Sequence, residues 1–119
     1  MLITQKEKLV AKLLSVTSDA NFHGQFEWDE NKNATNFKKH GISFEEAKEI
    51  FDGIVFTAID ERFDYGEIRE ISIGAIQGIV IVTVVHTERN RAIRIISARK
   101  ATRQERNTYH DYLAQKTVD

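Results

Sequence analysis

The sequence predicts an α+β domain, an antiparallel sheet with helices gathered on one face. Three observations lead to that prediction. Four β-branched runs, "IVFTAID", "REISIGAI", "IVIVTVVH" and "AIRIISA", follow one another between residues 54 and 98. The links between the last three are too short for parallel crossovers, so these strands are antiparallel neighbours. Two capping-box signatures, Ser43 with Glu46 and Thr102 with Glu105, open helices before and after the sheet.

Taken in order, residues 2 to 16 place Leu2, Leu9, Val10, Leu13 and Leu14 at helical spacing, and "TSDANFHGQ" breaks that pattern. Residues 1–25 therefore read as an appended extension, helical or partly disordered, and residues 26–119 as the main domain. "QFEWD" alternates as a short strand. Asp29 is placed to cap the helix "ENKNATNFKKH", which Gly41 stops. The helix opened by Ser43 runs through Ala47 and Ile50 to about Phe51. In the sheet region Gln77-Gly78 and Glu88 to Arg91 mark hairpin turns, with "DERFDYGE" a longer connection. Ile71 and Ile73 share a face opposite Glu70, Ser72 and Gly74, which predicts one dry and one wet side. The last helix, "ATRQERNTYHDYLAQK", turns Tyr109, Tyr112 and Leu113 inward.

Composition bounds the function. The chain has 119 residues, 41% of them hydrophobic, and no proline, which suits one core. Cysteine is absent, excluding disulfides and thiolate chemistry. None of the four histidines lies three or four residues from another, so neither a metal site nor a cofactor is expected. The start is interrupted by Lys6, Glu7, Lys8 and Lys12, unlike a secretory signal. The longest apolar run, Gly78 to Val85, falls far short of the ~20 residues that span a bilayer. A soluble, cytoplasmic protein without a membrane partner is the expectation. The net charge of −1 hides a polarised chain: residues 89–106 carry seven cations against one acid, and residues 45–70 nine acids against three cations.

Arginines inside an apolar strand need a partner or a wet face. With Ile93 and Ile95 on the dry side, Arg94 is expected on the wet side with Glu70 and Ser72, and His86 nearby. Arginine, histidine and glutamate on one sheet face suit phosphodiester chemistry, since guanidinium groups hold phosphate oxygens while His or Glu moves a proton. A plain cross-strand ion pair, with Arg99 supporting the last helix, is the competing reading. Lys39 and His40 could likewise simply complement the helix dipole.

"FEWDENKNATNFKKHGISFEEAKEIFDG", "GEIREISIG" and "ERNRAIRIISARKATRQERNTY" occur in the order and rough spacing of the BrnT family of bacterial toxins, which the chain resembles over about residues 26 to 109. The resemblance implies a RelE-like fold and a toxin that cleaves RNA without a metal. It also implies a ribbon-helix-helix antitoxin, BrnA, that neutralises the toxin and with it represses their promoter, so operator DNA is met only through the complex. Carried over by motif, the functional positions are Lys39 and His40 in K-H-G, Glu67 and Arg69 in G-E-x-R, and Arg94 and Arg99 in R-I-I-S-A-R. Arg69 and Arg94 are assigned to phosphate and transition-state charge, and Glu67 or His40 to proton transfer. Lys39, Arg99, His86 and Arg89 are assigned to RNA binding.

Two departures stand out. This chain has 25 residues before the F-E-W-D strand, near which family members usually begin, and Gly53 stands where the family often has proline. The leading expectation is a ribonuclease toxin in which a ribose 2′-hydroxyl attacks the adjacent phosphate. The alternatives are a catalytically weak co-repressor subunit that binds the antitoxin, and an RNA-binding domain without chemistry. Covering the arginines would silence such an enzyme, so the antitoxin is expected on the basic face, with the acidic block as the other possible contact.

Overall fold

In the computed structural model, which describes residues 24–62 and 64–117, the chain runs β1 (Gln25–Glu27), α1 (Glu30–His40), α2 (Phe44–Ala47), a 3-10 turn (Lys48–Asp52), β2 (Phe56–Ile59), β3 (Glu70–Ile76), β4 (Val80–Arg89), β5 (Ala92–Lys100) and α3 (Arg103–Thr117). The helix read over residues 2 to 16 lies outside the described residues. One sheet holds all five strands in the order β1-β5-β4-β3-β2. β2 to β5 form antiparallel pairs as expected, and β1 joins β5 in parallel, making the α+β sheet mixed. No helix among the described residues is long and apolar enough to cross a membrane.

Local signals set the element ends. The Asp29 side chain accepts from the backbone N–H of Asn31 and Lys32, and Gly41 closes α1 with a left-handed φ of 75°. Both capping boxes form: Ser43 Oγ accepts from the Glu46 N–H while Glu46 accepts from the Ser43 N–H, and Thr102 and Glu105 exchange the same pair of bonds. The β4–β5 link is a two-residue turn with Asn90 and Arg91 both at positive φ, the primed geometry that follows strand twist.

The helices lie on both faces rather than one. Val82, Val84, Ile95 and Ala98 pack with Phe44, Ala47, Ile50 and Phe51 on the α1/α2 side. Ile71, Ile73 and Val85 pack with Tyr109 and Tyr112 of α3 on the other. Strand alternation makes these opposite faces. The pairs Ile71/Ile73 and Ile93/Ile95 therefore line different cores, and the expected dry-versus-wet division fails. Gly74 marks the tightest approach, since a Cβ there would sit 2.7 Å from Ile50 Cβ, so its bareness lets the 3-10 turn seat on β3.

Helix α1 docks by hydrogen bonds. Asn36 is its one buried residue, and Phe37 is 53% exposed. The Asn36 amide donates to Ala98 O at 2.8 Å and Ile42 O at 3.0 Å and accepts from Ala98 N at 3.2 Å, acting as a strand neighbour for β5 beyond the end of β1. Asn33 adds a second tie, accepting from Phe44 N at 2.8 Å and donating to Glu45 at 2.9 Å. Replacing Asn36 with Leu leaves two buried backbone groups of Ala98 unpaired; urea unfolding is expected to show a loss of about 3 kcal/mol. Arg91→Gly, by contrast, relieves a left-handed arginine and is expected to raise stability by about 0.5–1 kcal/mol in the same measurement.

Candidate functional site

The strand register gathers charge at the end of the sheet where β3 begins and β4 ends. Thr87 of β4 pairs with Arg94 of β5, and Arg94 with Glu27 of β1. Glu70 pairs with His86, so Arg69, one residue earlier, stands beside Thr87, whose hydroxyl donates to Ile68 O at 2.7 Å. Arg89, two residues past Thr87, points to the same face. Adjacent strands lie ~4.8 Å apart, which makes Arg69, Arg89 and Arg94 neighbours around Thr87 on the α3 side of the sheet, beyond the part α3 covers.

Two carboxylates hold this row. Glu67 accepts from Arg69 Nε at 3.2 Å and from Arg89 Nη2 at 3.1 Å. Arg94 Nη1 donates to Glu27 at 2.7 Å. The bonds from Arg89 and then Arg69 hold the Glu67 carboxyl below the usual carboxylate range. Arg69 also lies over the Tyr65 ring, 4.1 Å from its centroid. Each arginine keeps at least two nitrogen donors without a hydrogen bond among the described residues. The Arg69, Arg94 and Glu67 side chains are about a quarter exposed (26%, 27% and 27%) and Arg89 is half exposed, so anions reach them. Such an array can hold phosphate oxygens through several N–H groups at once.

Several expected members lie elsewhere. His86 is corrected to a core residue. It faces the α1/α2 side, 3% exposed, its ring edge-on to Phe51 and its Nε2 2.7 Å from Ser72 Oγ. Ser72, expected on the wet side, is fully buried and also bonds Thr57 Oγ1. Glu70 shares that face, 3.9 Å from His86 Nδ1 and too far for a hydrogen bond; burial and then Glu88 raise its carboxyl. Arg94 therefore does not share a face with Glu70 and Ser72. Lys39 and His40 line a separate open cleft of about 510 Å³ between α1 and Ile96–Ser97 of β5.

Arg99 is likewise given over to structure, as the competing ion-pair reading anticipated. It clasps Glu105 through two bonds of 2.7 and 2.9 Å, and Glu105 accepts further from Thr83 Oγ1 and Thr102 N. Burial alone would raise the Glu105 carboxyl, but Arg99 and Thr102 pull it below its usual range. Asp60, Arg62 and Tyr65, which support Arg69 from below, were missed by sequence reasoning; the signal was there in the charged, aromatic content of "DERFDYGE".

Burial holds the His86 imidazole down to about 4, against ~6.5 in an unfolded chain. Between those values the unfolded state binds a proton that the folded state refuses, so stability is full above pH 6.5 and falls as pH drops towards 4, by about 3 kcal/mol in all. Urea unfolding at pH 7 and 4.5 is expected to show a larger loss for the wild type than for His86→Gln; equal losses would refute this linkage.

Residues 28–105 match the model of a protein family described as the ribonuclease toxin, BrnT, of type II toxin-antitoxin systems. Among solved structures the chain is similar to the crystal structure of the Brucella abortus ribonuclease toxin BrnT, at 25% sequence identity and a TM-score of 0.52, covering 67% of this chain and 99% of that one. No curated protein matches the chain.

Proposed function

The chain belongs to the BrnT family of ribonuclease toxins of type II toxin-antitoxin systems, with RNA as substrate and an antitoxin as partner, and from that premise we propose a metal-independent endoribonuclease whose site is the Arg69–Arg89–Arg94 row with Glu67. The observation that carries the reading is the gathering of three arginines with free donors beside two carboxylates, Glu67 on Arg69 and Arg89 and Glu27 on Arg94. The guanidinium groups bind the non-bridging oxygens of one phosphodiester and hold the charge that builds on them, a role a metal ion would otherwise fill.

In the proposed reaction the ribose 2′-oxygen attacks phosphorus as its proton passes to Glu67. The bond from phosphorus to the 5′-oxygen breaks, and that oxygen leaves with a proton from solvent. The products are a 2′,3′-cyclic phosphate and a 5′-hydroxyl. Glu67 is a weak base while two arginines hold it. An incoming phosphate competes for those arginines, and each bond it takes over returns basicity to the carboxylate.

Lys39 and His40 serve the RNA backbone away from the scissile phosphate, because their cleft opens on Ile96 and Ser97, two to three residues along β5 from Arg94. His40 is thereby moved from proton transfer to binding. The partner is proposed to be a BrnA-like ribbon-helix-helix antitoxin acting in the cytoplasm, covering the arginine row and bringing the pair to operator DNA.

With single-stranded RNA in EDTA, the wild type is expected to leave cyclic phosphate ends. Arg69→Ala and Arg94→Ala should each lose about 10²–10³ in kcat with an unchanged fold, and Glu67→Gln about 10²-fold or more. A 2′-deoxy sugar at the scissile position should block cleavage. An Arg94→Ala variant as fast as the wild type would remove the row from the mechanism. An inactive wild type that still binds antitoxin would point to the co-repressor role.

A further inference from the structure

The connection between β2 and β3 contains an ion pair away from both cores, with a buried carboxylate and an exposed arginine. Asp60, 4% exposed, is gripped by Arg62 through Nε and Nη2, both at 2.8 Å, and by the Arg62 backbone N–H at 3.1 Å. Burial by itself would raise this carboxyl, but the Arg62 bonds bring it below its usual range, so the pair stays charged at neutral pH. The Asp60 N–H also donates to Arg69 O at 2.7 Å and closes the base of the loop.

What the pair supports is Tyr65. Its hydroxyl donates to Asp60 Oδ2 at 2.8 Å, fixing the ring beneath the Arg69 guanidinium. Arg69 is then held at two places, its face by the ring and its Nε by Glu67, and neither uses a terminal nitrogen. A free arginine side chain must lose rotamer entropy to bind in one geometry; an arginine stacked beforehand has already lost much of it.

We propose that Tyr65, anchored by the Asp60–Arg62 pair, is a positioning residue for Arg69, holding the guanidinium with both Nη groups free to meet a phosphate of the RNA strand. The inference rests on the reading of Arg69 as a phosphate-binding group. It explains why a loop of this length carries a charged pair inside it: the pair fixes the ring, and the ring fixes the arginine.

The test compares wild type, Tyr65→Phe, Tyr65→Leu and Arg69→Ala. Tyr65 belongs to neither core cluster, so Tyr65→Leu should remain folded, its urea midpoint lowered no more than that of Tyr65→Phe, which loses the same bond to Asp60. The kcat of Tyr65→Leu should fall by about ten-fold or more while KM moves less, and Tyr65→Phe, which keeps the ring but loses its bond to Asp60, should fall between Tyr65→Leu and wild type. The Arg69 Nε–H resonance should be shifted upfield by the ring current in wild type and Tyr65→Phe, and lose that shift in Tyr65→Leu. A Tyr65→Leu enzyme with wild-type kcat beside a crippled Arg69→Ala overturns the proposal, whatever the resonance does. Should the wild type cleave nothing, the ribonuclease reading fails by itself, and affinity for a 2′-deoxy oligonucleotide of the same sequence replaces the rate. The positioning role then stands if Tyr65→Leu weakens binding in step with Arg69→Ala, and falls if it does not or if neither the wild type nor its variants bind.

Discussion

The placement of α1 depends on one side-chain amide. A helix with no apolar stripe has little to gain from packing, yet α1 sits firmly on β5 because Asn36 offers both a donor and an acceptor to Ala98 where β1 has already ended. Buried backbone N–H and C=O groups must be paired, and beyond Arg94 the edge of β5 would otherwise be open. A third bond, to Ile42 O, ties the turn that leads into α2 to the same point. With that clasp set, the last turn of α1 falls beside Ile96 and Ser97, which is how Lys39 and His40 come to line a cleft along the strand that carries Arg94.

Strand β5 also separates two kinds of arginine. Arg99 meets a mostly buried carboxylate that accepts four hydrogen bonds, from Arg99 twice, Thr83 and Thr102. Removing one partner of so enclosed a pair strands a charge out of water, so Arg99 is committed to holding α3 against the sheet. Arg94 meets Glu27, which is 40% exposed. Ion pairs in contact with water contribute little, and a phosphate can replace the glutamate at small cost. Two arginines five residues apart are thus fitted for opposite work by the solvent around their partners.

The same reasoning applies to Glu67, which bridges Arg69 and Arg89 and offsets their mutual repulsion; under the proposed function it yields them when a phosphate arrives. The arrangement is supported from beneath by the buried Asp60 carboxylate, which Arg62 holds from the solvent side. Rigid support under exchangeable contacts is what a site needs if it is to be open to substrate and ordered before it binds.

Much of this protein was determined by its sequence alone. Asp29, Gly41, Ser43–Glu46 and Thr102–Glu105 act on the backbone within a few residues, so helix ends were legible without the fold. Alternation correctly put Ile93 and Ile95 opposite Arg94 and Ile96. Motif resemblance pointed to the family that the comparisons bear out. Only tertiary structure decided which faces coincide. Alternation has period two and carries no absolute sign, so nothing local told that Ile71 and Ile73 look towards α3 while Ile95 looks towards α2; that required the register of β3, β4 and β5. The same register buried His86 and gathered Arg69, Arg89 and Arg94 from three separate segments. Support for the site by Tyr65 and Asp60 was hidden for the same reason, since a ring under a guanidinium depends on how a loop folds back, and no spacing rule encodes it.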